Sequence, residues 1–215
     1  MSDLLVFGDS FPAGADLEEL SDRFPVLVAN QLQRNLIDFS KGSTSIDHMV
    51  WELMQYLKHN IPADDTIALI CITDPSRTLY FDDNELVEIT PHTNSNVSNA
   101  YFKYVHSSRL EQFNWEKNLG YMNYACRTHN IKAYFINNWT QLYDLSDIVD
   151  KSYEQSICGL LGADLREWDG RPGFNPFYEE IVKTKNKYFD EKYHPNKEGH
   201  KLIAQHIVKW IESDG

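Results

Sequence analysis

"DLLVFGDSFPAG", residues 3 to 14, decides the fold. Leu4, Leu5, Val6 and Phe7 run without polar alternation, so this strand is buried on both faces, as in a parallel sheet covered by helices. Gly8 ends the run, and Asp9 and Ser10 follow in a turn. A buried strand thus delivers a hydroxyl to the carboxyl edge of its sheet, the edge at which open α/β sheets bind ligands.

Comparable runs recur at "LIDFS" (36–40), "TIALICIT" (66–73) and "KAYFINN" (132–138), with helical patterns between them. Ile46, Met49, Val50, Leu53, Met54 and Leu57 form one helical face, which Ser43, Thr44 or Ser45 can cap. Leu202, Ile203, His206, Ile207, Trp210 and Ile211 form another after Asn196, a candidate N-cap. Residues 22–34 and about 98–129 supply further helices, the second pattern long and broken. Strands alternating with helices predict a mainly parallel central sheet between two helical layers, an α/β/α sandwich with right-handed crossovers. No linker, repeat or low-complexity tract divides residues 1–215, so a single domain is expected. Two insertions are expected above the sheet. One covers about 78–95 and opens with a hairpin turning at Asp82-Asp83-Asn84; the other is the aromatic, irregular stretch 139–190.

The 32 acidic residues outweigh 20 basic ones for a net charge of −12, which repels phosphate backbones and anionic lipid and argues against nucleic-acid or membrane partners. The longest apolar run, "IALICI", is far below the roughly 20 residues of a membrane-spanning helix. "MSDLLVFGDS" has neither the basic nor the long apolar region of a signal peptide. Cys71, Cys126 and Cys158, odd in number and widely spaced, read as reduced thiols packed as small apolar groups. A cytoplasmic protein is expected, in which the sequons at Asn96 and Asn138 are chance matches.

Ser10 becomes a nucleophile only beside a base, and a histidine base needs a carboxylate to hold its tautomer. Near the other end of the chain, "YFDEKYHPNKEGHKLIAQHI" offers His194, with Asp190 and Glu191 four and three residues upstream. His200 and His206 read as packing or surface residues of the last helix. His194 and His200, six apart with Glu198 between them, lack the spacing of a metal site, so no metal or other cofactor is expected.

Together, "VFGDSFPAGADLEELSDRFPVLVANQL" (6–32), "IDFSKGSTSIDHM" (37–49) and "HPNKEGHKLIAQHI" (194–207) resemble, in order and spacing, the conserved blocks of the SGNH, or GDSL-like, hydrolases. The resemblance is close over about 3–58 and 188–211. It implies a flavodoxin-like three-layer sandwich, Ser10 as nucleophile, His194 as general base, and the N–H groups of Ser10 and Gly42 in the oxyanion hole. Asp9 would tie the turn together. The family's carboxylate falls at Glu191 by position, with Asp190 one residue earlier as the alternative. Where the family has an oxyanion asparagine after the third strand, this chain has Thr73, whose hydroxyl can substitute, with Asn137 or Asn138 as other donors.

"TDPSRTLYF" (73–81) further resembles a subgroup from bacteria and large tailed phages, which makes Asp74 and Arg77 substrate-binding candidates, with a structural ion pair as the alternative for Arg77. The implied activity is hydrolysis of an ester through an acyl-enzyme on Ser10. Tyr80, Phe81, Trp115, Trp139, Trp168, Phe174 and Phe177 favour carbohydrate O-esters, because aromatic faces stack on sugar rings. The alternative is a binding or structural protein that keeps the fold without the rate, for example in a phage particle. The sequence leaves the oligomeric state open.

Overall fold

The computed structural model describes residues 2–83, 85–91, 93–138, 145–153, 155–162, 187–192 and 194–214. Four parallel strands, β1 (Asp3–Phe7), β2 (Asn35–Asp38), β3 (Ile67–Ile72) and, later in the chain, β6 (Lys132–Asn137), form one sheet in the order β2-β1-β3-β6. The expected strands are all present, each within two residues of its predicted ends. Successive side chains leave a strand on opposite faces, and this sorts the core into two layers. Leu4, Val6, Leu69, Cys71, Tyr134 and Ile136 face one layer; Leu5, Phe7, Ala68, Ile70, Ile72 and Phe135 face the other.

The first layer is closed by α2 (Phe24–Gln31) and by the C-terminal helix, which we number α7 (Lys197–Ser213). They supply Phe24, Val28, Ile203, Ile207 and Ile211. The second is closed by α3 (Ile46–His59) and α5 (Ser108–Thr128), through Met49, Leu53, Trp115, Leu119, Met122 and Cys126. Ser45 is the residue that caps α3, its Oγ accepting the His48 N–H at 3.3 Å. The long pattern at 98–129 breaks as expected, giving α4 (Asn96–Tyr104) and α5, each with its own serine cap, Ser95 and Ser107. A four-residue helix, α1 (Ser10–Ala13), follows β1, and another, α6 (Ile157–Leu160), lies in the second insertion.

The hairpin is also present: β4 (Thr78–Asp82) and β5 (Glu85–Ile89) pair antiparallel, with Asp83 left-handed at φ 43°. It is anchored on α3. Thr78 donates to Asp47 at 2.8 Å, Phe81 packs edge-on against Trp51, and Glu88 meets His48 Nδ1 at 2.6 Å. With Glu52 on its other nitrogen, His48 holds its proton above the ordinary imidazole value, the Glu88 hydrogen bond being the largest cause. Of the second insertion, 139–144, Glu154 and 163–186 lie outside the described residues, and with them Trp139, Trp168, Phe174 and Phe177. Trp115 is 3% exposed in the core of the second layer, so it stacks on protein rather than on a ligand. No described helix is long and apolar enough to cross a membrane.

The C-terminal block docks on the N-terminal one through a histidine. No side chain of α2's own N-cap, Arg23, satisfies the first turn of that helix; instead the Phe24 N–H donates to Nδ1 of His200, whose ring stacks on Phe24 at 5.6 Å. His200 is fully buried. Burial, helped by the charges of His194 and Arg23 and opposed by Asp22, lowers its pKa to about 4. The unfolded chain therefore takes up this proton more readily than the folded one, so the contribution of His200 is complete above the unfolded value near 6.5. It is lost as pH falls toward 4, by about 3 kcal/mol at most. His48, whose pKa is raised, acts in the opposite sense and contributes less as pH rises. We expect urea midpoints between pH 7 and pH 4 to fall more steeply for the wild type than for His200→Asn, whose amide oxygen keeps an acceptor for Phe24 but does not titrate. Parallel profiles would contradict a neutral, capping His200.

Candidate active site

Ser10 opens α1 at the carboxyl end of β1, with Asp9 as N-cap. A Cβ on Gly8 would collide with the ring of Pro12 and the side chain of Cys71, so only glycine lets the chain turn this closely across β3. Gly14, left-handed at φ 71°, ends α1 after one turn. As the first helical residue, Ser10 has a backbone N–H with no partner inside the helix.

Asp9 is completely buried and fully engaged. Its Oδ1 accepts from Phe11 N–H (3.2 Å) and the Asn138 amide (2.7 Å), and its Oδ2 accepts from the Thr73 hydroxyl (2.9 Å) and Arg77 Nη1 (3.0 Å). One expectation changes here, and one alternative is decided. Thr73 gives its hydrogen to Asp9 and accepts from Arg77 at 2.8 Å, so it has no hydrogen left for an oxyanion. Of the two readings of Arg77, a substrate contact or a structural ion pair, the ion pair is the one observed. Asn138 gives one of its two amide hydrogens to Asp9. Asp74, the other binding candidate, accepts from the N–H and hydroxyl of Ser76 at 2.9 and 2.7 Å and closes the turn that carries Arg77.

Lys41 N–H donates to the Gly8 carbonyl at 3.0 Å, which brings the loop after β2 to the edge of the Ser10 turn. Gly42 is exposed there, with open space where a Cβ would lie. Ser43 is left-handed at φ 64°, and Thr44, buried, donates to the Lys41 carbonyl at 2.6 Å. The Ser10 and Gly42 N–H groups have no acceptor among the described residues.

His194 sits in a turn closed by Asp190, whose Oδ1 accepts the N–H groups of Lys192 (2.7 Å) and His194 (3.0 Å). Asn196 then caps α7 and also donates its amide to the carbonyls of Lys187 and Phe189. A Cβ on Gly199 would lie 2.5 Å from the Tyr188 carbonyl oxygen, so the close fit of this loop on α7 requires glycine. Phe11, the residue after Ser10, meets the His194 ring edge-on, with 6.2 Å between centroids. The described residues contain no hydrogen bond between Ser10 and His194; such contacts are often long before substrate binds.

The carboxylate on His194 is neither of the two expected. Nδ1 lies 2.7 Å from Oδ2 of Asp16, in the loop after α1. Glu191 is exposed and makes no hydrogen bond among the described residues, and Asp190 is committed to backbone N–H groups. Asp16 is itself left-handed, at φ 64°, and pairs through Oδ1 with the Lys192 ammonium. That hydrogen bond, with a smaller effect from His194, holds the Asp16 carboxyl below its ordinary value. Atoms of Asp16, Asp190 and His194 lie within 4.8 Å of one another, and Lys192 provides the positive charge at that point. A signal for Asp16 was present: an acidic residue just past a helix-ending glycine, six residues after Ser10.

The cysteines are free and buried, and burial raises each thiol, that of Cys126 to about 12. They serve packing. Removing Asp9 strands a buried guanidinium together with three other donors, and breaking a buried ion pair from one side costs about 3–5 kcal/mol. Urea denaturation of Asp9→Ala is expected to show a loss of that size, and a loss below about 1 kcal/mol would contradict the role given to Asp9.

No family model and no curated protein matches the sequence. Solved structures do. A member of the lipolytic protein G-D-S-L family from Veillonella parvula aligns at TM-score 0.55 and 11% identity, over 96% of each chain. The psychrotrophic esterase EstA from Pseudoalteromonas, inhibited by monoethylphosphonate, aligns at TM-score 0.56 and 13% identity, over 99% of this chain and 98% of that one. The acetyl xylan esterase Est2A from Butyrivibrio proteoclasticus aligns at TM-score 0.51 and 12% identity, over 99% of this chain and 64% of its own length. With its parallel sheet, its two helical layers and these neighbours, the chain has the fold of the GDSL, or SGNH, hydrolases.

Proposed function

We propose that the protein is a serine ester hydrolase. The observation that carries this reading is the placement of His194: one ring nitrogen on a carboxylate, and the ring edge against Phe11, beside Ser10. Held in that way, Nε2 is the nitrogen with a free lone pair. In the first half-reaction Ser10 Oγ bonds to the ester carbonyl carbon and its proton passes to Nε2. The bond to the alkoxy oxygen then breaks, and the leaving alcohol takes that proton. Water repeats the sequence on the acyl-enzyme and releases the acid. The N–H groups of Ser10 and Gly42 are the donors for the tetrahedral oxyanion.

For the substrate, the similarity to an acetyl xylan esterase supports a carbohydrate O-ester, with Tyr80 and Phe81 of the hairpin as candidate stacking surfaces. Buried, unpaired thiols support a cytoplasmic location. A second reading, a binding or structural protein such as a phage-particle component, is favoured by one observation: of the candidates for a third oxyanion donor, Thr73 gives its only hydrogen to Asp9 and Asn138 gives one of its two. Loss of one such donor slows catalysis by about 10²–10³. That slows an enzyme without abolishing it.

The test is hydrolysis of p-nitrophenyl acetate by wild type, Ser10→Ala and His194→Ala, with acetylated xylo-oligosaccharides as second substrates. We expect wild-type turnover to exceed both variants by at least about 10³. Equal rates in all three, on both substrates, would favour the second reading.

A further inference from the structure

We propose that Asp16 is the residue that positions His194, taking the place that sequence order assigns to Glu191 or Asp190. The proposal rests on the hydrolase reading for its catalytic meaning, but the placement can be measured without it.

Three observations converge. First, the 2.7 Å contact to Nδ1 comes from Asp16, whereas Asp190 turns Oδ1 to backbone N–H groups and Glu191 makes no hydrogen bond among the described residues. Asp190 spends Oδ1 on the two N–H groups that shape the turn, and no hydrogen bond joins it to the His194 ring among the described residues. Secondly, Asp16 is held from both sides. The loop behind it is tied by Ala15 N–H on the Ser10 carbonyl (3.0 Å) and Leu17 N–H on the Gly14 carbonyl (3.2 Å), and Lys192 occupies the carboxylate oxygen that His194 leaves free. Thirdly, Asp16 lies on the nucleophile's own turn. The positioning contact therefore spans 178 residues of sequence and joins the loop of the base to the loop of the nucleophile. A carboxylate in the histidine's own loop orients the ring only within that loop. Asp16 also fixes the ring relative to Ser10.

An Nδ1–H donated to Asp16 leaves Nε2 as the acceptor, the tautomer that general-base chemistry at Ser10 requires. Asn in place of Asp can offer its N–H₂ to Nδ1 and reverse that tautomer, as can any neutral substitute that removes the acceptor.

The experiment is ring ¹⁵N NMR of His194, assigned by the resonances lost in His194→Gln and recorded on the neutral imidazole. We expect the Nδ1–H tautomer in wild type, Glu191→Gln, Asp190→Asn and Asp16→Glu, and its loss in Asp16→Asn alone. In parallel, kcat on p-nitrophenyl acetate is expected to fall by about 10²–10⁴ in Asp16→Asn with KM nearly unchanged. It should recover at least tenfold in Asp16→Glu and stay within about twofold of wild type in Glu191→Gln. An unchanged tautomer in Asp16→Asn, or its loss in Glu191→Gln or Asp190→Asn, overturns the proposal. If wild type is no faster than Ser10→Ala, the hydrolase reading falls, and the tautomer result still decides whether Asp16 holds His194.

Discussion

The buried carboxylate of Asp9 is the constraint on which the rest of the site depends. It stands just past the end of β1, and its donors come from the ends of two neighbouring strands, Thr73 after β3 and Asn138 after β6. Three of the four parallel strands are thus tied at their carboxyl ends around one charge, which Arg77 neutralises. A buried charge is tolerated only when it is paired and hydrogen-bonded, and that requirement recruits nearby polar groups. The consequence for chemistry is direct. Thr73 and Arg77, which a looser site would leave for substrate, are spent on Asp9, and the backbone N–H of Ser10 has no acceptor among the described residues.

The second dependence runs between the two ends of the chain. α7 packs on α2, His200 caps the start of α2, and Lys197 pairs with Asp22 at 2.8 Å. The loop that carries His194 is continuous with α7 and fitted to it at Gly199. The position of His194 relative to Ser10 is therefore set by core packing as much as by local contacts. Interiors packed at crystal-like density hold such a relation within small limits. Of the two histidines involved, His200 is kept neutral by burial and works in structure, whereas His194 stays half-exposed at the rim.

Much of this was legible in the sequence, for identifiable reasons. Leu4–Phe7 and Ile67–Ile72 are continuous apolar runs because both faces of a covered parallel sheet are buried, and that pattern leaves few alternatives. The cap Asn196 was readable from local chemistry, as were the cap of α3, narrowed to Ser43, Thr44 or Ser45, and the hairpin that joins β4 to β5. The role of Asp9 in tying the turn was implied by the resemblance to the GDSL-like hydrolases. What did not show was long-range pairing. Thr73 looks available for substrate, and Arg77 open to either role, until a distant carboxylate is seen to claim them. Asp16 and His194 stand 178 positions apart, and no periodicity or spacing links them. Trp115 resembled a surface aromatic because α5 carries little apolar patterning overall, yet it faces the sheet.

The central claim is that this architecture makes one hydroxyl, Ser10, a nucleophile. Peptide mapping by mass spectrometry after brief exposure to a fluorophosphonate tests it most directly, because a phosphonate bonds covalently only where a serine is activated and fluoride can leave. The account predicts a single adduct on Ser10 in the wild type, and none in His194→Ala. No adduct at Ser10, or labelling spread over surface hydroxyls at the rate seen in His194→Ala, would contradict it.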